Sequence, residues 1–143
     1  MIVKVINKSN NPLPKYATEG SAGLDVHAFL EEPVIIKPLE RKIIPTGLFL
    51  EIPNGYEIQV RARSGMSIKH GITLVNGVGT IDSDYRGELG IPVINLSNKE
   101  YEIKSGDKVA QIILAKYEYL EFKLEKNLEE TDRSDGGFGH TGY

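Results

Sequence analysis

The 143-residue chain has the size and composition of one ordinary globular domain, since 40% of its residues are apolar and 26% are charged. Its formal net charge is −3 and no dense block of lysine and arginine occurs, which argues against a general nucleic-acid-binding protein. It has no cysteine, which excludes disulfides, zinc–thiolate sites and thiol nucleophiles, and no apolar run approaches the roughly 20 residues that span a bilayer. We therefore expect a cytoplasmic protein that binds neither nucleic acid nor membranes.

Short strands are predicted along most of the chain. Fifteen glycines and seven prolines divide it into pieces that are rich in β-branched residues. The period-2 alternation at 56–61 is typical of a half-buried strand. Comparable runs predict further strands at 2–6, 24–28, 34–36, 41–45, 48–52, 72–75, 89–95, 101–103, 109–114 and 117–123. Many short strands with turn signals between them indicate an all-β sandwich or barrel.

One stretch, 64–71, does not follow the strand pattern. Its sequence, Ser-Gly-Met-Ser-Ile-Lys-His-Gly, predicts a short helix near 64–70 that is capped by Ser64 and ended by Gly71. Arg63 stands directly before it, so a helix N-terminus here would offer N–H donors and positive charge to an anion. A simple connecting turn is the alternative interpretation.

The segment 79–87, Gly-Thr-Ile-Asp-Ser-Asp-Tyr-Arg-Gly, carries the densest set of reactive side chains. Two glycines enclose two carboxylates, two hydroxyls, a phenol and a guanidinium, and strand-like apolar runs lie on both sides. Glycine permits tight turns and close approach of a ligand. A hairpin turn whose polar residues face water is the alternative.

The C-terminal residues differ in kind from the rest. After Leu124 the core-forming residues become sparse, which predicts a β domain at 1–126 and a flexible glycine-rich arm at 127–143. A disordered end is the plain interpretation, but Phe138 lies among glycines and Arg133 precedes it by five residues. Fully extended, the part from Arg133 onward reaches roughly 35 Å at about 3.3 Å per residue, far enough to meet a neighbouring subunit.

Five short motifs follow one another in a fixed order. They are Ala-Gly-Leu-Asp at 22–25, Arg-Ser-Gly at 63–65, the segment 79–87, Gly-Asp-Lys-Val-Ala-Gln at 106–111, and the arm at 133–142. With these motifs the chain resembles the trimeric all-β dUTP diphosphatase (dUTPase) family. The resemblance implies a distorted jelly roll or β-barrel of antiparallel strands and a homotrimer whose sites are shared between subunits. It also implies Mg²⁺-assisted hydrolysis of dUTP to dUMP and pyrophosphate, which keeps uracil out of DNA and supplies dUMP for thymidylate synthesis.

The resemblance also assigns the site residues, each of which lies in or near a motif. Asp82 is the catalytic residue that activates the water attacking the α-phosphorus, and Asp25 holds Mg²⁺ through its waters. The substrate-binding residues are Arg63, Ser64, Gly65, Asn76, Gly79, Thr80, Ile81, Tyr85, Gln111, Arg133, Phe138 and Gly139.

Within that set the roles divide by the part of the nucleotide. The Asn76 amide and the backbone of Thr80 and Ile81 are assigned to uracil, and the Tyr85 ring to the deoxyribose. The Arg-Ser-Gly motif is assigned to the phosphates, as is Arg133, whereas Gln111 either bonds a phosphate or supports the site. Phe138 is assigned to stacking over uracil. Asp84 is interpreted as a turn residue, and His140 occupies a position where the family more often has serine, so its contact with the γ-phosphate stays open.

Two other functions fit the same fold. A dCTP deaminase would need a catalytic acid or base over cytosine, and it would carry extra arginine and serine residues around the second motif. That motif has the hydrolase form here, from Arg63 to Met66. A non-catalytic dUTP sensor is the second alternative, against which the presence of Asp82, Arg63 and Arg133 argues.

Overall fold

The computed structural model describes residues 1–138, and its regular elements are antiparallel strands together with one short helix. In chain order its elements are β1 (Lys4–Asn7), β2 (Leu24–His27), β3 (Val34–Ile36), β4 (Arg41–Glu51), β5 (Tyr56–Arg61), α1 (Ser64–His70), β6 (Ile72–Leu74), β7 (Val78–Ile81), β8 (Glu88–Asn95), β9 (Tyr101–Ile103) and β10 (Lys108–Lys116). The predicted all-β fold with one short helix at 64–70 is therefore confirmed.

Two four-stranded sheets and one two-stranded sheet form the fold. Their strand orders are β1-β4-β8-β6, β2-β10-β5-β7 and β3-β9. The sheets are open, so the architecture is a distorted jelly roll and not a closed barrel. In β8 every second residue is buried, and the apolar ones belong to the core together with Val26, Ile44 and Ile103. A strand with one face on the core and one face toward solvent produces this alternation.

Strand β4 is longer than its sequence pattern predicts. The runs at 41–45 and 48–52, predicted as two strands, belong to one strand whose register shifts between Pro45 and Phe49. At the shift Gly47 takes a φ of 70°, and Glu88 Oε1 accepts hydrogen bonds from the backbone N–H groups of Thr46 (3.2 Å) and Gly47 (2.7 Å). A carboxylate thus satisfies the donors that the irregularity leaves unpaired.

The strand predicted at 117–123 is absent. Strand β10 continues to Lys116, and residues 117–138 contain neither helix nor strand. Phe122 and Leu124 are 91% and 98% exposed, because no strand of the described chain pairs with this segment and no apolar surface covers it. Apolar and aromatic residues favour a strand only where a partner strand exists. The division into 1–126 and 127–143 stays a prediction.

Within residues 1–138, no helix combines the length and the apolar character that crossing a membrane requires.

Candidate functional site

A cluster of one carboxylate and two cations lies where β2, β10 and the start of α1 meet. Asp25 Oδ1 accepts a hydrogen bond from Arg63 Nε at 3.0 Å, and Asp25 Oδ2 pairs with Lys108 Nζ at 2.9 Å. Arg63 Nη1 also donates to the carbonyl of Lys108 at 3.1 Å. Burial of Asp25 opposes its ionisation, but the hydrogen bonds and positive charges of Lys108 and Arg63 outweigh it and hold the pKa of this carboxyl below its usual value.

The N-cap of helix α1 lies one residue earlier than its sequence suggests. Its N-cap is Arg63, with φ −89° and ψ 123°, and no side chain caps it, so the prediction of a Ser64 cap is wrong. The reason is that the chain leaves β5 in extended conformation through Arg63, whose carbonyl accepts the first helical bond from Ser67 N at 3.0 Å. Gly71 ends the helix as predicted, with φ 68°.

The surface above the start of α1 is open. Ser64 and Gly65 are exposed, and a Cβ on Gly65 would meet no atom within 4 Å. The chain's own packing therefore gives no reason for glycine at this position. Close approach of a ligand to the backbone would give one.

Gln111 supports this cluster from β10. It pairs with Asp25 in β2 and with Arg61 in β5, and its Nε2 donates to the carbonyl of Ala62 at 3.0 Å. A Cβ on Gly23 would collide with the Gln111 Oε1 atom, so this glycine makes room for the amide. Of the two roles predicted for Gln111, these contacts favour the one in which it supports the site.

The turn between β6 and β7, which crosses from one sheet to the other, and the start of β7 carry the residues predicted to bind the base. Asn76 and Gly77, whose φ is 72°, lie in this turn, and Asn76 is exposed with no side-chain hydrogen bond within residues 1–138. Gly79 is buried, and a Cβ on it would lie 3.2 Å from Val60 and 3.3 Å from Asn76 Nδ2. Thr80 is exposed and Ile81 is half-buried. The backbone of these two residues therefore lies near the surface, as the Asn76 amide does.

The segment after β7 is a closed turn that presents Asp82. The carbonyl of Asp82 accepts from Tyr85 N at 3.2 Å, and Arg86 Nη1 donates to the carbonyls of Ser83 (2.7 Å) and Tyr85 (2.9 Å). Arg86 was not predicted as a site residue, but these bonds close the turn. The Asp82 carboxylate is exposed and accepts no hydrogen bond from the described residues.

Tyr85 folds back over the end of the same turn. Its hydroxyl donates to the carbonyl of Glu88 at 3.2 Å, and a Cβ on Gly87 would collide with its ring. This glycine therefore sets the position of the ring. A pocket of about 190 Å³ lies beside it, lined by Thr80, Ile81, Asp82, Tyr85, Glu88 and Gly90.

A larger cleft, of about 680 Å³, lies on the other side of Asp82. It is lined by Ile52, Asn54, Glu57, Asp82, Ser83, Asp84, Arg86, Tyr117 and Tyr119. Three carboxylates and a single guanidinium make it unsuited to a polyphosphate, despite its size. The Tyr117 and Tyr119 hydroxyls are 2.9 Å apart, and their hydrogen bond lowers the pKa of Tyr117. Sequence reasoning missed these tyrosines because it placed them in a strand.

The strand register separates the cluster around Arg63 from Asp82. Arg61 pairs with Val78 at one end of β7, whereas Ile58 pairs with Ile81 at the other end, directly before Asp82. Arg63 follows Arg61, so its distance from Asp82 along the sheet exceeds the span from Arg61 to Glu57, roughly 13 Å at about 3.3 Å per residue. Asp25 lies still further away, because β10 and β5 stand between β2 and β7.

The arm residues touch neither group. Arg133 Nε donates to the carbonyl of Gly136 at 2.8 Å, within the arm itself, and the Phe138 side chain is fully exposed. Gly139 and His140 lie outside the described residues. One chain thus presents three separate groups of predicted site residues.

The group around Asp25 has donors that could hold a magnesium ion through water. No group of three or more histidine, aspartate or glutamate residues within 1–138 could hold a metal directly. Asp25 accepts one hydrogen bond on each carboxylate oxygen, which leaves lone pairs for water molecules. This fits an ion that keeps most of its waters and takes its other ligands from phosphates, as Mg²⁺ does.

Comparison with known proteins gives consistent matches over nearly the whole chain. The sequence model of the dUTPase family matches residues 9–142. The deoxyuridine 5'-triphosphate nucleotidohydrolase of Finegoldia magna is 66% identical over 143 residues, which is 100% of both chains. The enzyme of the same name from Fusobacterium nucleatum is 55% identical over 140 residues, covering 98% of this chain and 96% of the relative.

Solved structures match the fold as well. The dUTPase of Staphylococcus bacteriophage 80alpha with dUPNHPP has a TM-score of 0.88 and 25% identity over 99% of each chain. The D95N mutant dUTPase of the S. aureus phage phi11, described with a structural Mg(II) ion, has a TM-score of 0.81 and 25% identity over 91% of this chain and 100% of that one.

Proposed function

This chain belongs to the dUTPase family and acts as a dUTP nucleotidohydrolase, and we propose that Asp82 activates the water that attacks the α-phosphorus. The observation that carries this proposal is the exposed Asp82 carboxylate, which no other described residue engages, on a turn closed by Arg86. A carboxylate held on such a rigid turn can accept a proton from a positioned water. The products are dUMP and pyrophosphate.

The base and sugar bind beside the same turn. The Asn76 amide offers a donor and an acceptor to one edge of uracil, and the backbone of Thr80 and Ile81 supplies further partners. The Tyr85 ring, held against Gly87, packs under the deoxyribose. A slot that pairs with uracil in this way rejects cytosine, because mismatched donors stay unpaired, and rejects thymine by its methyl group.

The phosphates bind to the cluster around Arg63. Arginine can place parallel N–H groups on phosphate oxygens, and Ser64 and the Gly65 N–H stand beside it on the open surface. Arg133 and Gly139 of the arm complete the phosphate contacts, and Phe138 stacks on uracil. The exposed apolar side chains of the arm favour such a lid, since they gain contacts when it closes over the substrate.

Asp25 is the residue that we assign to Mg²⁺, through water. When bound, the ion supplies charge neutralisation and polarises the phosphate oxygens. Because phosphoryl transfer depends mostly on positioning and charge stabilisation, the protein needs no covalent nucleophile.

We further propose that each site is shared between subunits of a homotrimer. The register keeps Arg63 and Asp82 of one chain apart, whereas both must reach the same triphosphate. Two chains that each contribute one group resolve this conflict, and the arm of a third can reach the same site. The proposal also includes a cytoplasmic location, with neither nucleic acid nor membrane as partner.

Pyrophosphate release in the presence of Mg²⁺ tests the function. We expect fast release from dUTP and little from dCTP, dTTP or UTP, because the slot selects the base and the ring of Tyr85 excludes a 2′-hydroxyl. Binding of dUTP without release would support a sensor, and ammonia from dCTP would support a deaminase. Either result would overturn the role of Asp82.

A further inference from the structure

Lys108 contacts both members of the phosphate-binding cluster, through two different groups. Its ammonium lies 2.9 Å from Asp25 Oδ2, and its backbone carbonyl accepts from Arg63 Nη1 at 3.1 Å. Asp25 and Arg63 in turn contact each other at 3.0 Å. The three residues therefore form a closed triangle of charge-assisted contacts.

An irregularity in β10 places Lys108 at this point. Lys108 pairs with His27, but Ala110 pairs with Val26, so two steps along β10 match one step along β2. A bulge of this kind leaves one residue outside the ladder and re-aims the neighbouring groups. The Lys108 carbonyl is thereby available to Arg63, which follows β5 on the other side of β10.

The contacts leave most of the Arg63 guanidinium unused. Arginine has five N–H donors, of which Nε serves Asp25 and one at Nη1 serves Lys108. The remaining three are free of partners among the described residues. Because the two bonds start from different nitrogens of one planar group, they hold the plane of the guanidinium and leave both Nη2 donors and one Nη1 donor for an anion.

We propose that Lys108 is a positioning residue for phosphate binding, which holds Asp25 with its ammonium and so keeps the Arg63 guanidinium oriented toward the triphosphate. The proposal rests on the proposed role of Arg63. Lys108 need not touch the substrate, because it acts through the carboxylate. The bond from Arg63 to the Lys108 carbonyl survives any side-chain substitution, so the ammonium can be tested separately.

The ion pair between Lys108 and Asp25 contributes little to the stability of the fold. The side chains of Lys108 and Asp25 are 47% and 28% exposed, and partly exposed ion pairs add little to the free energy of unfolding. Loss of the ammonium should therefore change binding much more than melting temperature.

The test compares K108M with K104M. Lys104 forms an exposed ion pair with Glu102 at 3.0 Å, so K104M makes the same charge change away from the cluster. We expect K108M to raise KM for dUTP about tenfold or more, with an unchanged melting temperature. Inorganic pyrophosphate should also bind more weakly to K108M, by a similar factor, in calorimetry with EDTA present. K104M should match the unsubstituted protein, and K108R should restore most of the affinity.

Three results would overturn the proposal. They are an unchanged KM and pyrophosphate affinity in K108M, an equal loss in K104M, and a fall in melting temperature that accompanies the loss in K108M. R63Q separates this proposal from the proposed function. If R63Q binds pyrophosphate normally, the phosphate-binding role of Arg63 is wrong. If R63Q binds pyrophosphate weakly but K108M binds it normally, only the role of Lys108 is wrong.

Discussion

Two carboxylates stand two residues apart on the turn that follows β7, and their surroundings differ. Asp82 lines both the small pocket beside Tyr85 and the larger acidic cleft, whereas Asp84 lines only the cleft. A nucleotide that binds against Thr80 and Tyr85 would lie beside Asp82 and not beside Asp84. This contrast supports the catalytic role that we propose for Asp82.

We expect D82N to bind dUTP nearly as tightly as the unsubstituted protein and to lose at least about 100-fold in kcat, because the amide cannot accept the proton of the attacking water. Single-turnover rates and the affinity for a non-hydrolysable dUTP analogue provide the measurement. D84N serves as the matched control and should retain most turnover. Normal turnover in D82N would remove the residue from its role.

At the scale of elements, the turn between β3 and β4 contains a local strain. Glu40 N donates to the carbonyl of Lys37 at 3.0 Å, Pro38 occupies the second position, and Leu39 takes a φ of 62° at the third. This arrangement is typical of a type II turn, which favours glycine or asparagine at the third position. The Leu39 side chain is 70% exposed, so little packing in the described chain compensates for the strain.

We expect L39N to raise the free energy of unfolding by about 1 kcal/mol, because asparagine tolerates the left-handed conformation better than leucine does. Chemical denaturation would measure the change. L96N is the control, since Leu96 is also exposed but has no positive φ, and it should give no gain. An equal gain in both variants would point to reduced surface apolarity as the cause.

The arm at 127–143 has a proposed role in closing the site, although its described residues form no hydrogen bond with the other site residues. Removal of residues 131–143 should leave the melting temperature unchanged, because the described part of this segment is mostly exposed and its hydrogen bonds stay within the segment. It should lower kcat/KM for dUTP by about 100-fold or more, since the lid would no longer order phosphates and base. F138A should reproduce part of the loss. A lower melting temperature with retained turnover would show a structural role for the arm.

At the scale of the whole molecule, the separation of Arg63 from Asp82 predicts complementation. R63Q and D82N should each be nearly inactive alone. When the two variants are unfolded, mixed in equal amounts and refolded, about a quarter of the sites in random trimers should hold both native residues. The rate of pyrophosphate release from dUTP should then return to roughly that fraction of the rate of the unsubstituted protein.

D82N refolded by itself is the control and should stay inactive. Native mass spectrometry would establish that the mixed oligomers have formed. If mixed oligomers form without activity, Arg63 and Asp82 belong to one chain's site, and the shared-site proposal is wrong.

Local sequence patterns predicted much of the fold. The bounds of β3, β5, β9 and α1 agree with the prediction, because each has a clear apolar period or a clear glycine stop. Strand β7 was missed, since its polar and glycine residues resemble a loop. The predicted strand at 117–123 was wrong, because strand propensity cannot show whether a partner strand is present.

In the site too, some features depend on the local sequence and others on contacts between residues that are far apart in the chain. The sequence by itself determined the family, the residue types of the five motifs and the turns that its glycines allow, since these depend on order and on local conformation. Only the tertiary structure decided that Lys108 joins Asp25 and Arg63, that Gln111 rests on Ala62, and that Asp82 lies at the far end of the sheet. The physical reason is that strand register and a bulge bring together residues far apart in the chain, and no short-range pattern encodes those pairings.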